Sequence, residues 1–216
     1  MDLNNWTEEE IKHGKNAFMH MARHILPEFK VDERNKDIIN DLFFYFHKLE
    51  GGKLDPEKGL WLEGDVGTGK STLMNIFSNH LRRYWNGAGF KIYNCSTIAN
   101  EYSHRPKMKD GDDASLDTLD RYTYNRYGYK AHTRVAMCFD ELGREPIPAV
   151  HFGQKLNVME HILHIRYTFW QSDRLLTYVT TNLDADKVEE LYQDYIRDRR
   201  AEMFNIVAMT GKSRRK

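Results

Sequence analysis

Eight consecutive residues, Gly64-Asp65-Val66-Gly67-Thr68-Gly69-Lys70-Ser71, carry the spacing G-x-x-x-x-G-K-[ST]. Their types suit the task of holding a triphosphate. Phosphates concentrate negative charge in a small volume, and backbone N–H groups can surround them only where side chains stay clear. Gly64, Gly67 and Gly69 leave Asp65, Val66 and Thr68 free to shape such a bare loop. Lys70 is placed to reach the β- and γ-phosphates of ATP, Ser71 to ligate Mg²⁺, and Thr72 to extend the cradle into a helix whose positive N-terminus faces the anion. A second constellation follows at Asp140-Glu141, after the apolar run Val135-Ala136-Met137-Cys138-Phe139. An aspartate at the end of a buried strand is a place to associate Mg²⁺. A glutamate next to it can orient or deprotonate an attacking water. That pair favours hydrolysis over phosphoryl transfer to a small acceptor. A third polar strand end, Thr180-Thr181-Asn182, offers an amide to hold the water or touch the γ-phosphate; the same Asn182 also suits a helix cap. Asn94 is placed to touch Glu141 and gate it.

The elements that must position these groups are readable from periodicity. Gly59-Leu60-Trp61-Leu62 predicts a strand before the glycine loop, and Leu73, Ile76, Phe77, Leu81 and Tyr84 predict a helix after it. Thr7 and Glu10 form a capping box for a first helix over 7–26, with Ile11, Phe18, Met21 and Ile25 as its stripe and Pro27 as its stop. A second helix is expected over 35–49, closed by Gly51-Gly52. Strands are expected at 90–93, 135–139, 175–179 and 206–209, and a helix over 154–170. Two short helices should precede the last strand. Residues 97–133 are polar and give no clear element. Alternating helices and strands predict an α/β fold, a parallel sheet sandwiched by helices.

Composition excludes several classes. Across 216 residues, 40% are hydrophobic and 30% charged, ordinary for a soluble globular chain, with formal net charge zero. No apolar stretch approaches a membrane span, and Trp6-Thr7-Glu8-Glu9-Glu10 is acidic where a leader would be basic. Cys95 and Cys138 are not in a C-x-x-C pair and read as free thiols of a reducing cytoplasm. His20/His24 and His161/His164 have helical spacing but no convincing third ligand, so no structural metal is expected. Residues 121–134 interleave Tyr122, Tyr124, Tyr127 and Tyr129 with Arg121, Arg126, Lys130 and Arg134. Aromatic faces with cations suit single-stranded DNA; packing of the same tyrosines onto the core is the equal alternative. The stripe of the first helix reads first as a face packed on the core, with docking into a partner groove as the other reading.

The set of 64–71, Asp140-Glu141, Asn182 and a C-terminal arginine cluster resembles the AAA+ ATPases. Over residues 31–216 it is most similar to the bacterial helicase-loader group, the DnaC/DnaI family, and to IstB-type transposition ATPases. Residues 1–30 form a short N-terminal helical segment, smaller than the N-terminal module usual in loaders. The resemblance implies a P-loop core without a C-terminal helical lid, since the loader group lacks one. It matches the loader ending, an Asp-Arg in a helix, a strand, then Gly-x-Ser-x-Arg, to Asp198-Arg199, 206–209 and Gly211-Lys212-Ser213-Arg214-Arg215. It makes Arg199 an arginine finger reaching a neighbouring subunit and Arg215 a contact to the subunit's own nucleotide, with Arg197, Arg200 and Arg214 as rivals in register. Implied too are an ATP-dependent homo-oligomer, a cytoplasmic location and a replicative DNA helicase as partner. A transposase partner, and an ATP-switched binding module with negligible turnover, are the alternatives.

Overall fold

The computed structural model describes residues 4–85, 88–104, 119–124 and 135–214, without the side chains of 193–195. Five strands form one parallel sheet: β1 (Gly59–Glu63), β2 (Lys91–Asn94), β3 (Met137–Leu142), β6 (Thr177–Thr181) and β7 (Phe204–Ala208), in the order β2-β3-β6-β1-β7. β4 (Ala149–His151) and β5 (Gln154–Leu156) make a separate antiparallel hairpin. The helices are α1 (Glu8–Ile25), α2 (Lys36–His47), α3 (Lys70–Tyr84), α4 (Cys95–His104), α5 (Val158–Asp173) and α6 (Ala185–Met203). No described helix is long and apolar enough to cross a membrane.

Period-two alternation splits the strands between two cores. Trp61, Met137, Phe139 and Val179 face one core with α4, α5 and α6. Leu60, Leu62, Cys138 and Tyr178 face the other, with α1, α2 and α3. Strands buried on both faces are why these segments read as continuous apolar runs. The capping box of α1 is formed: the Glu10 N–H donates to Thr7 Oγ1 at 3.3 Å, and the Thr7 N–H donates to Glu10 Oε2 at 2.7 Å. Phe18 and Met21 are buried in the second core, so the stripe of α1 packs on the body of the fold.

Several boundaries differ from expectation. α2 stops at Lys48, which adopts the left-handed conformation itself, ahead of Gly51-Gly52. Residues 154–156 form β5 instead of opening a helix: Phe152 and Gly153 both take positive φ and turn the chain, and Asn157 then caps α5 by accepting from the Glu160 N–H at 3.3 Å. The two short helices before β7 are one 19-residue helix, α6, capped by Asp184. Both cysteines are free and buried.

Candidate nucleotide site

In this sheet order the C-terminal ends of β1, β3 and β6 lie side by side, where a parallel α/β sheet places its ligands. The glycine loop leaves β1 and enters α3, and two of its glycines are sterically required. A Cβ on Gly67 would lie 2.2 Å from Ser213 Oγ, and one on Gly64 would lie 2.2 Å from the Met209 carbonyl oxygen. Both residues have positive φ. Beside this loop opens a cavity of about 590 Å³ whose walls include Lys70, Ser71, Glu141, Asn182, Arg214 and Asp32.

Lys70 is buried, and its ammonium is saturated with acceptors. It donates to the Gly64 carbonyl at 2.7 Å, the Asp65 carbonyl at 2.8 Å and Asn182 Oδ1 at 2.8 Å. These are oxygens that phosphate oxygens can replace. Asn182 therefore joins the end of β6 directly to the loop lysine.

Asp140 and Glu141 are organised by Thr180 of β6. The Thr180 hydroxyl donates to Asp140 Oδ1 at 2.5 Å and accepts from the Glu141 N–H at 3.0 Å. Glu141 sits at φ 59, a left-handed conformation unusual for a glutamate, where the β3–β6 register shifts between Phe139 and Leu142. Asn94 Nδ2 donates to Glu141 Oε2 at 3.2 Å, and Arg144 Nε stands 4.0 Å from Oε1. Asn94 Oδ1 also accepts from the Ser96 and Thr97 N–H groups, which fixes the side-chain amide at the start of α4. Ser71 and Asp140 supply oxygens of the kind a hard divalent cation such as Mg²⁺ takes. The glycine cradle and the acceptor-loaded lysine fit a triphosphate.

The arginines divide. Arg214 lines the cavity, with Nη1 and Nη2 donating to the Asp32 carboxylate at 3.0 and 2.8 Å. This guanidinium holds the Asp32 carboxyl down to about 2. Arg215 lies outside the described residues; Arg214 and Arg34 are the described arginines that line the cavity. Arg200 is tied to Glu63 at 2.8 Å and lies over Trp61. Arg197 pairs with Glu189 at 2.7 Å. Arg199 lies with its guanidinium 4.9 Å from the Tyr167 ring centroid, away from its own cavity.

The tyrosine-rich segment corrects one expectation. Tyr122 is in the core, beside Tyr93 and Phe139, with its hydroxyl donating to Glu101 at 2.9 Å, so it cannot stack on a base. Tyr124 is exposed, with its ring 5.2 Å from that of Phe169. Arg126 and Tyr127 fall outside the described residues. Sequence reasoning missed Thr180, because a threonine in a strand carries no signal of its own. It missed the Asp32–Arg214 pair, because 182 residues separate the partners. It also missed Arg166, which is fully buried and donates to Thr177 Oγ1 and to three backbone carbonyls.

No protein-family model matches the sequence, and no curated protein matches it at a significant level. Solved structures do match in fold. DnaI aligns at TM-score 0.60 and 20% identity, covering 89% of this chain and 93% of that one. The DnaC helicase loader aligns at 0.55 and 14% identity, covering 86% and 95%. The replication initiator DnaA bound to AMPPCP and single-stranded DNA aligns at 0.51 and 19% identity, covering 87% of this chain and 50% of that one. This chain shares the α/β fold of these proteins, with similarity in fold to DnaC and DnaI over most of its length.

Proposed function

We propose that this chain is a Mg²⁺-dependent ATPase of the replication machinery, a loader that uses its nucleotide state to control a replicative DNA helicase on DNA. The observation that carries the reading is that Lys70, Asn182 and Glu141 line one cavity, with Lys70 hydrogen-bonded to Asn182 and Glu141 held from behind by Asn94. Helices and strands far apart in sequence have no packing reason to bring an ammonium, two amides and a carboxylate together. The apolar side chains of Leu26 and Phe29 on the same cavity wall suit a flat base. The likeness to DnaI and DnaC over nearly their full matched lengths supports the helicase as partner.

Each residue then has a task. Gly64 through Thr72 wrap the phosphates, and Lys70 exchanges its carbonyl partners for phosphate oxygens. Ser71 and Asp140 would hold the cation, which would supply charge neutralisation to the triphosphate. Glu141 takes the proton of the attacking water. Asn94 fixes one carboxylate oxygen, so the other faces the water, and release of that hydrogen bond provides a gate. Asn182 turns from Lys70 toward the γ-phosphate or the water. Arg199 reaches a neighbouring copy's site in an ATP-dependent homo-oligomer. Tyr124, Arg126 and Tyr127 contribute a single-stranded DNA contact, and the work is cytoplasmic.

The test is affinity capture from host lysate with ATP and the Glu141→Gln variant, which holds ATP without turnover. A replicative helicase retained only with ATP is the expected result. A transposase in its place, or helicase retained equally without nucleotide, would refute the loader assignment.

A further inference from the structure

The C-terminal tail forms a wall of the cavity and is fastened to the phosphate loop along its length. The Met209 N–H donates to the Glu63 carbonyl at 2.7 Å, the Gly211 N–H to Asp65 Oδ2 at 3.0 Å, and the Arg214 N–H to the Gly67 carbonyl at 2.8 Å. Ser213 fills the space beside Gly67. The backbone of residue 214 is therefore fixed on the loop that cradles phosphate, while its guanidinium extends along the cavity wall. Asp32, which lines the same cavity, is equally fixed. Its N–H donates to Asn35 Oδ1 at 2.8 Å, its Oδ1 accepts from the Arg34 N–H at 3.0 Å, and the Asn35 amide is anchored on the Lys30 carbonyl at 3.0 Å. Arg34 adds a second guanidinium 3.6 Å from the same carboxylate.

Two backbone-anchored partners thus meet at the cavity in a bidentate pair, the geometry in which a carboxylate matches a guanidinium best. A phosphate presents the same pairing geometry to arginine. We propose that Asp32 competes with nucleotide phosphate for Arg214, so that this carboxylate restrains ATP affinity from inside the binding site. This rests on the nucleotide reading of the cavity given above. Both partners are partly exposed, at 27% and 39% for their side chains, so the guanidinium can swing from one anion to the other without crossing a dry interior. Because α1 and α2 are joined through Asp32, the exchange also transfers Arg214 from the N-terminal linker to the ligand.

A purely structural role for the pair gives the opposite sign. If Asp32 only braced the wall, removing its charge would loosen the site and weaken ATP. If it competes, removing its charge releases Arg214 to the phosphates and tightens ATP. Exposed pairs couple weakly, so the gain should be modest, about threefold to tenfold at low salt, and should shrink as salt screens it.

The experiment is calorimetric titration of the full chain with Mg²⁺-ATP, for wild type, Asp32→Asn, Arg214→Ala and the double variant, each melted without nucleotide to check its fold. Asp32→Ser, which keeps an oxygen for the turn, repeats the test should the asparagine misfold. Tighter binding by the Asp32 variants, lost in the Arg214→Ala background, is the expected result. Unchanged or weaker binding by well-folded Asp32 variants would overturn the competition and leave the nucleotide reading standing. An equal gain with and without Arg214 would overturn it too, since Asp32 would then act by charge alone. A wild-type chain that binds no ATP would overturn both.

Discussion

Arg166→Met removes a fully buried guanidinium while keeping a long unbranched side chain in its place. Arg166 Nε donates to Thr177 Oγ1 at 2.7 Å, Nη1 to the Tyr122 carbonyl at 3.1 Å, and Nη2 to the Val135 and Leu176 carbonyls at 3.1 and 3.0 Å. One side chain therefore ties the segments that lead into β3 and β6, the two strands that deliver Asp140 and Thr180. The Thr177 hydroxyl can rotate toward another partner, but the three carbonyls stay where the backbone holds them. At about 1–3 kcal/mol for each buried group left short of its partner, the loss is about 3–9 kcal/mol. Dispensing with a buried charge returns several kcal/mol of desolvation. The net loss should be about 2–4 kcal/mol, at the strong end for one substitution. For a chain of this size that lowers Tm by about 5–15 °C. Thermal unfolding followed by circular dichroism, without nucleotide and at fixed salt, measures it. Arg166→Lys should recover only part of the loss, because three donors on one nitrogen cannot span acceptors on three segments. A methionine variant melting within about 2 °C of wild type would refute the reasoning, since about 1 kcal/mol already moves Tm that far.

The buried His47–His80 pair, with Nε2 atoms 3.0 Å apart, should make stability pH-dependent. Burial, with His47 as a second cause, lowers His80 to about 4, and burial also lowers His47. Both are neutral when folded and titrate higher when unfolded, so their contribution is complete above about pH 6.5 and is lost as pH falls toward 4. Allowing for screening, about 1 kcal/mol should go by pH 5 for His80. Melts of wild type and His80→Gln at pH 7 and pH 5 check this, and equal pH sensitivity in both would contradict it. Thr180→Val removes the hydroxyl that joins Asp140 to the Glu141 backbone. ATP turnover should fall about tenfold or more with ATP affinity nearly unchanged, a kcat effect measurable by steady-state kinetics. A rise in KM at constant kcat would place Thr180 in binding instead.

The parts of the fold visible in the sequence were those where one local cause dominates. Gly64 and Gly67 stand where side chains cannot fit, Gly69 takes a positive φ, and the apolar runs at 59–62 and 135–139 reflect strands covered on both faces. Asp140-Glu141 ended such a run and so pointed to the site. What stayed hidden depended on tertiary contacts. Tyr122 belongs to a pattern that suits nucleic acid, yet it packs against Tyr93 and Phe139. Arg166 reads as a surface cation on a helix until the carbonyls that surround it are known. β5 is three residues long, too short for periodicity to separate it from the helix behind it. Asp32 and Arg214 meet only because the tail lies along the phosphate loop and the α1–α2 linker crosses the same cavity.

Turnover through Glu141 is tested most directly by phosphate release from Mg²⁺-ATP, measured beside ATP affinity for wild type and Glu141→Gln. Loss of the general base should slow release about 10²–10⁴-fold while the variant still binds ATP at least as tightly as wild type. Equal rates of phosphate release from the two proteins would show that Glu141 does not activate the water and that the site does not hydrolyse ATP as described.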